Sequence, residues 1–256
     1  MSRTTSVAVV VIALVIIATG ALAYLHGSPE NSLSYAVIEN GDRQHREDTQ
    51  YYTIQVNYPA TTSLATRGSW GAESRAENTI AATLNDFISQ FKDTADSISQ
   101  DEKDRLTAAN IKYSLDVGYH AYSSGSFVSY EFDVFTDTGG AHPISSYKTL
   151  VFDMNGATVS LADLFTPGSD YLDRISQAAQ QQVAAQLDMQ GGDGADQSMI
   201  SDGVAPKAEN FENFVVDSDR IRIFIPPYQA AAYAAGSFEV QIPLVDVKDI
   251  LKPGIN

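Results

Sequence analysis

The sequence contains no cysteine, four histidines and one tryptophan, and it has 16 basic residues against 32 acidic ones. The missing cysteine excludes disulfides, thiolate zinc sites, a cysteine nucleophile and the lipid-bearing cysteine that tethers a bacterial lipoprotein. The shortage of basic residues leaves a formal net charge of -16. So acidic a surface repels phosphate backbones, which argues against nucleic acid as a partner and suits a basic one. No N-x-[ST] sequon is present. The four histidines, His26, His45, His120 and His142, show no H-x-x-x-H spacing. Asp188, Asp193, Asp196 and Asp202 crowd one segment without the alternation of a calcium loop. Neither a metal nor a cofactor is expected. The acyl-transfer pattern G-x-S-x-G is missing too. Ser145-Ser146-Tyr147-Lys148 fits S-x-x-K only where a strand begins, so the lysine would not lie one helical turn from the serine.

One long apolar run is present. Val7 to Leu25 carries no charge and has the length that spans a bilayer as a helix, roughly 20 residues. Arg3 and the amino terminus precede it and acidic residues dominate beyond it. The positive-inside tendency therefore places residues 1–6 in the cytoplasm and the rest outside. Ala21-Leu22-Ala23 also offers small residues for signal cleavage. A single-pass anchor and a secreted product both remain open. In either case the chain beyond about Tyr24 is exported.

Residues 26–49 are rich in Gly, Ser, Pro, Asn and mixed charge and read as a linker. Past it, helix and strand patterns alternate, which predicts an α+β fold with an antiparallel sheet and two main helices. Tyr51 to Tyr58 is strand-like. Ile80, Leu84, Phe87, Ile88 and Phe91 recur at helical spacing within 73–91. Ile111 to Tyr122 and Phe127 to Thr136 predict a hairpin around Ser123–Ser126. Tyr147 to Asp153 is a further strand that turns at Asn155-Gly156. A second long helix spans about 169–189, and 191–203 reads as a flexible loop. The tail is β-rich, with strands at 211–216, 220–225 and 238–243. We divide the exported part into two α+β halves, 50–135 and 136–256.

Two segments stand out as candidate ligand contacts. The first is Gly139-Gly140-Ala141-His142, followed by Pro143. The glycines permit backbone angles closed to other residues, and the proline restricts His142. His142 can serve as a structural hydrogen-bonding group, a ligand contact or a base. No orienting acid and nucleophile are legible beside it, so no catalytic residue is assigned. The second segment is Ile225 to Gly236, IPPYQAAAYAAG, in which Tyr228 and Tyr233 are spaced by small alanines. Such tyrosines serve either as a contact surface or as core.

Gly139 to His142, the Leu161 to Phe165 stretch LADLF, and Ile225 to Gly236 leading to Ile242-Pro243 together resemble the RsiV-like exported domain of bacteria. The resemblance covers roughly Tyr51 to Leu251. That family forms the extracellular part of lysozyme-sensing anti-sigma factors and also sits beside peptidoglycan deacetylase domains. The resemblance implies a membrane-anchored, envelope-exposed module that binds or senses a cell-wall glycan or a lysozyme-like protein. Gly139, Gly140, Ala141, His142, Tyr228 and Tyr233 are the ligand-binding candidates. Six residues ahead of the apolar run leave no room for a sigma-binding domain. The alternatives are an exported hydrolase of envelope polysaccharide or esters, and an accessory subunit of an envelope assembly.

Overall fold

The computed structural model describes residues 36–37, 42–60, 64, 68–190 and 197–255. The expected membrane span, Val7 to Leu25, lies outside them. Among the described residues no helix is long and apolar enough to cross a membrane. Residues 35–256 form one compact unit.

Six strands make the larger sheet in sequence order: β1 (Ala36–Val37), β2 (Asp42–Asp48), β3 (Tyr52–Pro59), β4 (Tyr113–Ser123), β5 (Phe127–Asp137) and β6 (Ile144–Asp153). Two helices, α1 (Ala72–Asp96) and α2 (Gln100–Ala109), fall between β3 and β4. That crossover corrects the expectation of a wholly antiparallel sheet: β3 and β4 pair in parallel. A parallel neighbour needs a long connection, and the helices supply it. A second correction concerns the expected linker, because Asp42–Asp48 is a strand paired along its length with β3. Its sequence, DRQHRED, is polar throughout, yet His45 turns inward and is buried. The expected division at 135/136 falls inside β5, and the sheet continues to Asp153.

The two faces of this sheet are covered differently. Helix α1 lies on one, burying the stripe Ile80, Leu84, Ile88 and Phe91. Phe91 meets Tyr52 of β3 edge-on at 5.7 Å, and Lys92 bonds Glu47 at 2.6 Å. Val128, Tyr130, Phe132 and Val134 of β5 are all buried. Their alternates along β5 point to the opposite face, where a three-stranded sheet docks: β7 (Phe214–Val216), β8 (Arg220–Ile225) and β9 (Phe238–Pro243). Side chains of the first sheet hold the backbone of β7. The Val216 amide donates to Ser129 Oγ at 3.1 Å, and the Phe214 amide to Thr149 Oγ1 at 2.8 Å. Phe127 and Val151 join a core with helix α3 (Tyr171–Met189), through Ile175, Ala179, Val183 and Leu187. The segment read as a flexible loop contains α4 (Gln197–Gly203), anchored by buried Ile200.

Glu131 is caught in this docking. It is 5% exposed on the same face of β5 and accepts from the Tyr122 hydroxyl at 2.6 Å. Burial pushes its carboxyl above the usual range, against the lowering pull of Tyr122.

Candidate functional site

The loop 138–143 joins β5 to β6, and its form follows from its residues. Asp137 Oδ1 accepts from the Gly139 amide at 2.9 Å, an Asx-type turn. Gly139 has φ 71, and a Cβ there would stand 2.8 Å from an Arg105 guanidinium nitrogen and 3.0 Å from the Tyr113 ring. The backbone angle therefore calls for glycine, and a Cβ would also crowd Arg105 and Tyr113. Gly140 has neither restriction: a Cβ there would meet only the His142 carbonyl, at 3.9 Å. Of the two glycines, only Gly139 uses the angles that glycine permits.

Helix α2 braces the loop from below. Arg105 donates twice to Glu102, at 2.7 and 2.6 Å, and the Tyr113 hydroxyl donates to Glu102 at 2.7 Å. The Arg105 and Tyr113 bonds hold the Glu102 carboxyl down at about 2. Burial and the adjacent Glu102 push the Tyr113 hydroxyl up.

Across the loop stands the tyrosine-alanine segment. It follows β8 through Pro226-Pro227 and packs two of its five alanines inward, Ala230 and Ala231, while Ala232 and Ala234 are exposed. Gly203, at the end of α4, permits this: a Cβ there would fall 2.0 Å from the Gln229 carbonyl oxygen. The Gln229 side chain donates to the carbonyls of Gly203 and Asn210 at 2.7 and 2.9 Å. Tyr228 thus sits on an anchored turn. Its backbone is left-handed, φ 71, which for a bulky residue costs about 1–2 kcal/mol.

The two segments meet. His142 stacks on Tyr233 with ring centres 3.9 Å apart and planes at 17°. Tyr228 lies 5.2 Å from Tyr233, and its hydroxyl is 3.2 Å from His142 Nε2. His142 Nδ1 is 3.0 Å from the Pro143 carbonyl oxygen, which also accepts from the Tyr233 hydroxyl at 2.6 Å. A carbonyl cannot donate, so Nδ1 carries a hydrogen, and in the neutral ring Nε2 accepts from Tyr228. Both ring nitrogens are therefore engaged, and neither is left to activate Ser145. His142 is exposed, Tyr233 half-buried and Tyr228 59% exposed. Gly140 and Ala141 are exposed at the rim of the cluster. The apolar side chain of Ile144 is exposed just beyond it.

The remaining histidines stay apart from this cluster. His45 is buried beside Glu47 at 3.1 Å, and His120 is exposed, 3.3 Å from Asp133. His26 lies outside the described residues. Among the described residues no group of three or more His, Asp or Glu is arranged to hold a metal ion. Sequence reading missed Asp137, Glu102, Arg105 and Tyr113 as supports. Only Asp137, two residues before a glycine, carried a local signal.

Residues 162–244 match the family described as a protein of unknown function, DUF3298. Residues 45–145 match the family model described as deacetylase PdaC. The chain is thus similar to a PdaC-like domain followed by a DUF3298 domain, each match covering less than half of it. Among curated proteins it is 25% identical over 247 residues to the peptidoglycan-N-acetylmuramic acid deacetylase PdaC of Bacillus subtilis, covering 94% of this chain and 50% of that protein. It is 29% identical over 167 residues to a protein of Mycobacterium tuberculosis named as an esterase, covering 62% of this chain and 68% of that one. The chain spans about half the length of PdaC. Two crystal structures of DUF3298 family members share the fold. The one from Bacteroides fragilis gives a TM-score of 0.54 at 20% identity, over 88% of this chain and 96% of its own. The one from Pseudomonas aeruginosa gives 0.51 at 14%, over the same shares.

Proposed function

We propose that the chain is an envelope-facing module that binds cell-wall glycan through the cluster of His142, Tyr228 and Tyr233, with the loop Gly139-Gly140-Ala141 as its rim. The apolar run near its amino terminus serves as a single-pass anchor, and the domain stands outside the cytoplasm. The observation that carries the reading is Tyr228: a bulky ring kept 59% exposed on a left-handed backbone. Strain of this kind persists where the surroundings enforce it and concentrates at ligand sites. Exposed aromatic faces bordered by fixed hydroxyls suit sugar rings, which present one apolar face and a ring of hydroxyls. The peptidoglycan deacetylase relative supports the choice of polymer.

Sedimentation with insoluble peptidoglycan tests it. Wild type is expected in the pellet, and Tyr228→Ala and His142→Ala in the supernatant. Equal pelleting of all three would remove the cluster from the binding site. Immobilised lysozyme forms a parallel arm, because the net charge of -16 favours a basic protein. Retention that is lost with salt on lysozyme, with none on peptidoglycan, assigns the surface to that partner instead.

A second reading, an exported hydrolase, draws on the relatives named as deacetylase and esterase. Its base would be His142, which must first release Nε2 from the Tyr228 hydroxyl. An ester and acetylated-glycan panel decides it: turnover abolished by His142→Ala supports hydrolysis, and turnover unchanged by it removes the assignment.

A further inference from the structure

A cavity on β6 opens where the sheet loses a neighbour. Strand β6 is the last in its sheet, and its odd-numbered residues point their backbone groups outward. The chain returns beside it after the Asn155-Gly156 turn: Asp153 N–H donates to the Ala157 carbonyl at 3.0 Å, and Val159 N–H to the Val151 carbonyl at 2.8 Å. One more step would set Leu161 against Thr149. Instead residues 161–164 coil into a 3₁₀ turn, closed by a capping box between Ser160 and Asp163. The two segments part there, and a cavity of about 410 Å³ fills the gap.

Thr149 lies at this gap and is 7% exposed. Its hydroxyl accepts from the Phe214 amide, but no described residue bonds its outward N–H or C=O. An edge strand leaves such groups open to a ligand or to solvent. The walls are mixed: Leu161, Phe211 and Phe214 are apolar, while Lys148, Ser160 and Glu212 are polar. A volume in the range of roughly 300–1,000 Å³, largely apolar with a few convergent polar groups, is that of a small-ligand site.

We propose that this gap is a second glycan subsite, which takes the acetamido group of a 2-acetamido sugar. An acetamide presents one N–H, one C=O and a methyl group. It completes the interrupted ladder as a peptide unit would, pairing with the outward N–H and C=O of Thr149. Its methyl rests on the apolar wall, and the sugar hydroxyls meet Lys148, Ser160 and Glu212. The subsite rests on the glycan reading of the preceding section, yet shares no residue with the aromatic cluster.

The test titrates the full-length protein with the N-acetylglucosamine dimer, the glucosamine dimer and cellobiose, by calorimetry and by amide chemical shifts. The acetylated dimer is expected to bind at least tenfold tighter than the other two and to move the Thr149 and Val151 amides. Ala162→Trp, which fills the mouth of the cavity from an exposed position, is expected to abolish those two amide shifts, which Tyr228→Ala leaves in place. Equal affinity for the three sugars overturns acetamide recognition. Thr149 and Val151 shifts that survive Ala162→Trp with its melting temperature intact, or that Tyr228→Ala removes, overturn the location. If no dimer binds while wild type still sediments with peptidoglycan, the subsite is refuted and the aromatic site stands; if neither occurs, both readings fall.

Discussion

Replacing Tyr228 by alanine and, separately, by glycine isolates the strain in its backbone. Both variants lose the ring and the hydroxyl bond to His142, so these losses cancel in the comparison. They differ at φ 71. Alanine retains the left-handed cost of about 1–2 kcal/mol, and glycine releases it. Against this, glycine loses more freedom on folding, an offset of about 0.4–1 kcal/mol. Taking the middle of each range, the glycine variant should be the more stable by about 0.8 kcal/mol. For a domain of this size that is a melting temperature higher by roughly 1–4 °C. Scanning calorimetry at one pH and protein concentration reads it directly. Relative to wild type, Tyr228→Ala should lose about 1 kcal/mol, the value of an exposed hydrogen bond and a ring contact. A glycine variant no more stable than the alanine one would show that the turn stores no strain, and the argument from Tyr228 to a ligand site would lose its support.

Other substitutions probe the supports. Gly203→Ala drives a Cβ to within 2.0 Å of the Gln229 carbonyl oxygen. It should cost about 1–3 kcal/mol in urea denaturation and weaken peptidoglycan sedimentation by displacing Tyr228. Glu131 has its folded-state carboxyl raised by burial, so the folded state holds its proton more tightly than the unfolded chain. The sign is that this group favours folding at low pH. That contribution is lost as pH climbs from the usual carboxylate range through the raised value. Glu131→Gln should remove that decline, seen as a flatter dependence of urea midpoint on pH. An unchanged slope would assign the decline to other groups.

Much of this architecture was legible because local pattern and burial agree. The spacing of Ile80, Leu84, Ile88 and Phe91 is the stripe that α1 buries, and Ser123 to Ser126 does turn β4 into β5. Strand β2 escaped notice because only His45 of its seven residues is buried, which leaves no alternation to read. Helix α2 buries only Leu106. Its one readable signal was the cap, Ser99 accepting from the Glu102 amide three residues on. The parallel pairing of β3 with β4 is non-local and leaves no mark in either strand. At the candidate site, the meeting of His142 with Tyr233 was approached only through resemblance. The bracing by Glu102, Arg105 and Tyr113 depends on how α2 packs, which no spacing in those residues discloses.

The parallel pair also bears on how the chain is made. Pro59 and Tyr113 are separated by 53 residues, counted from the ends of β3 and β4. At a synthesis rate of about 5–20 residues per second, the edge of β3 waits roughly 3–10 seconds for its partner. During that time the hairpin of β2 and β3 exposes Ile54 and Val56, which end fully buried. Contacts this distant in sequence slow folding, since the intervening chain must be closed before they form. If the chain is exported as proposed, such a delay favours crossing the membrane unfolded, with β4 closing the sheet on the far side.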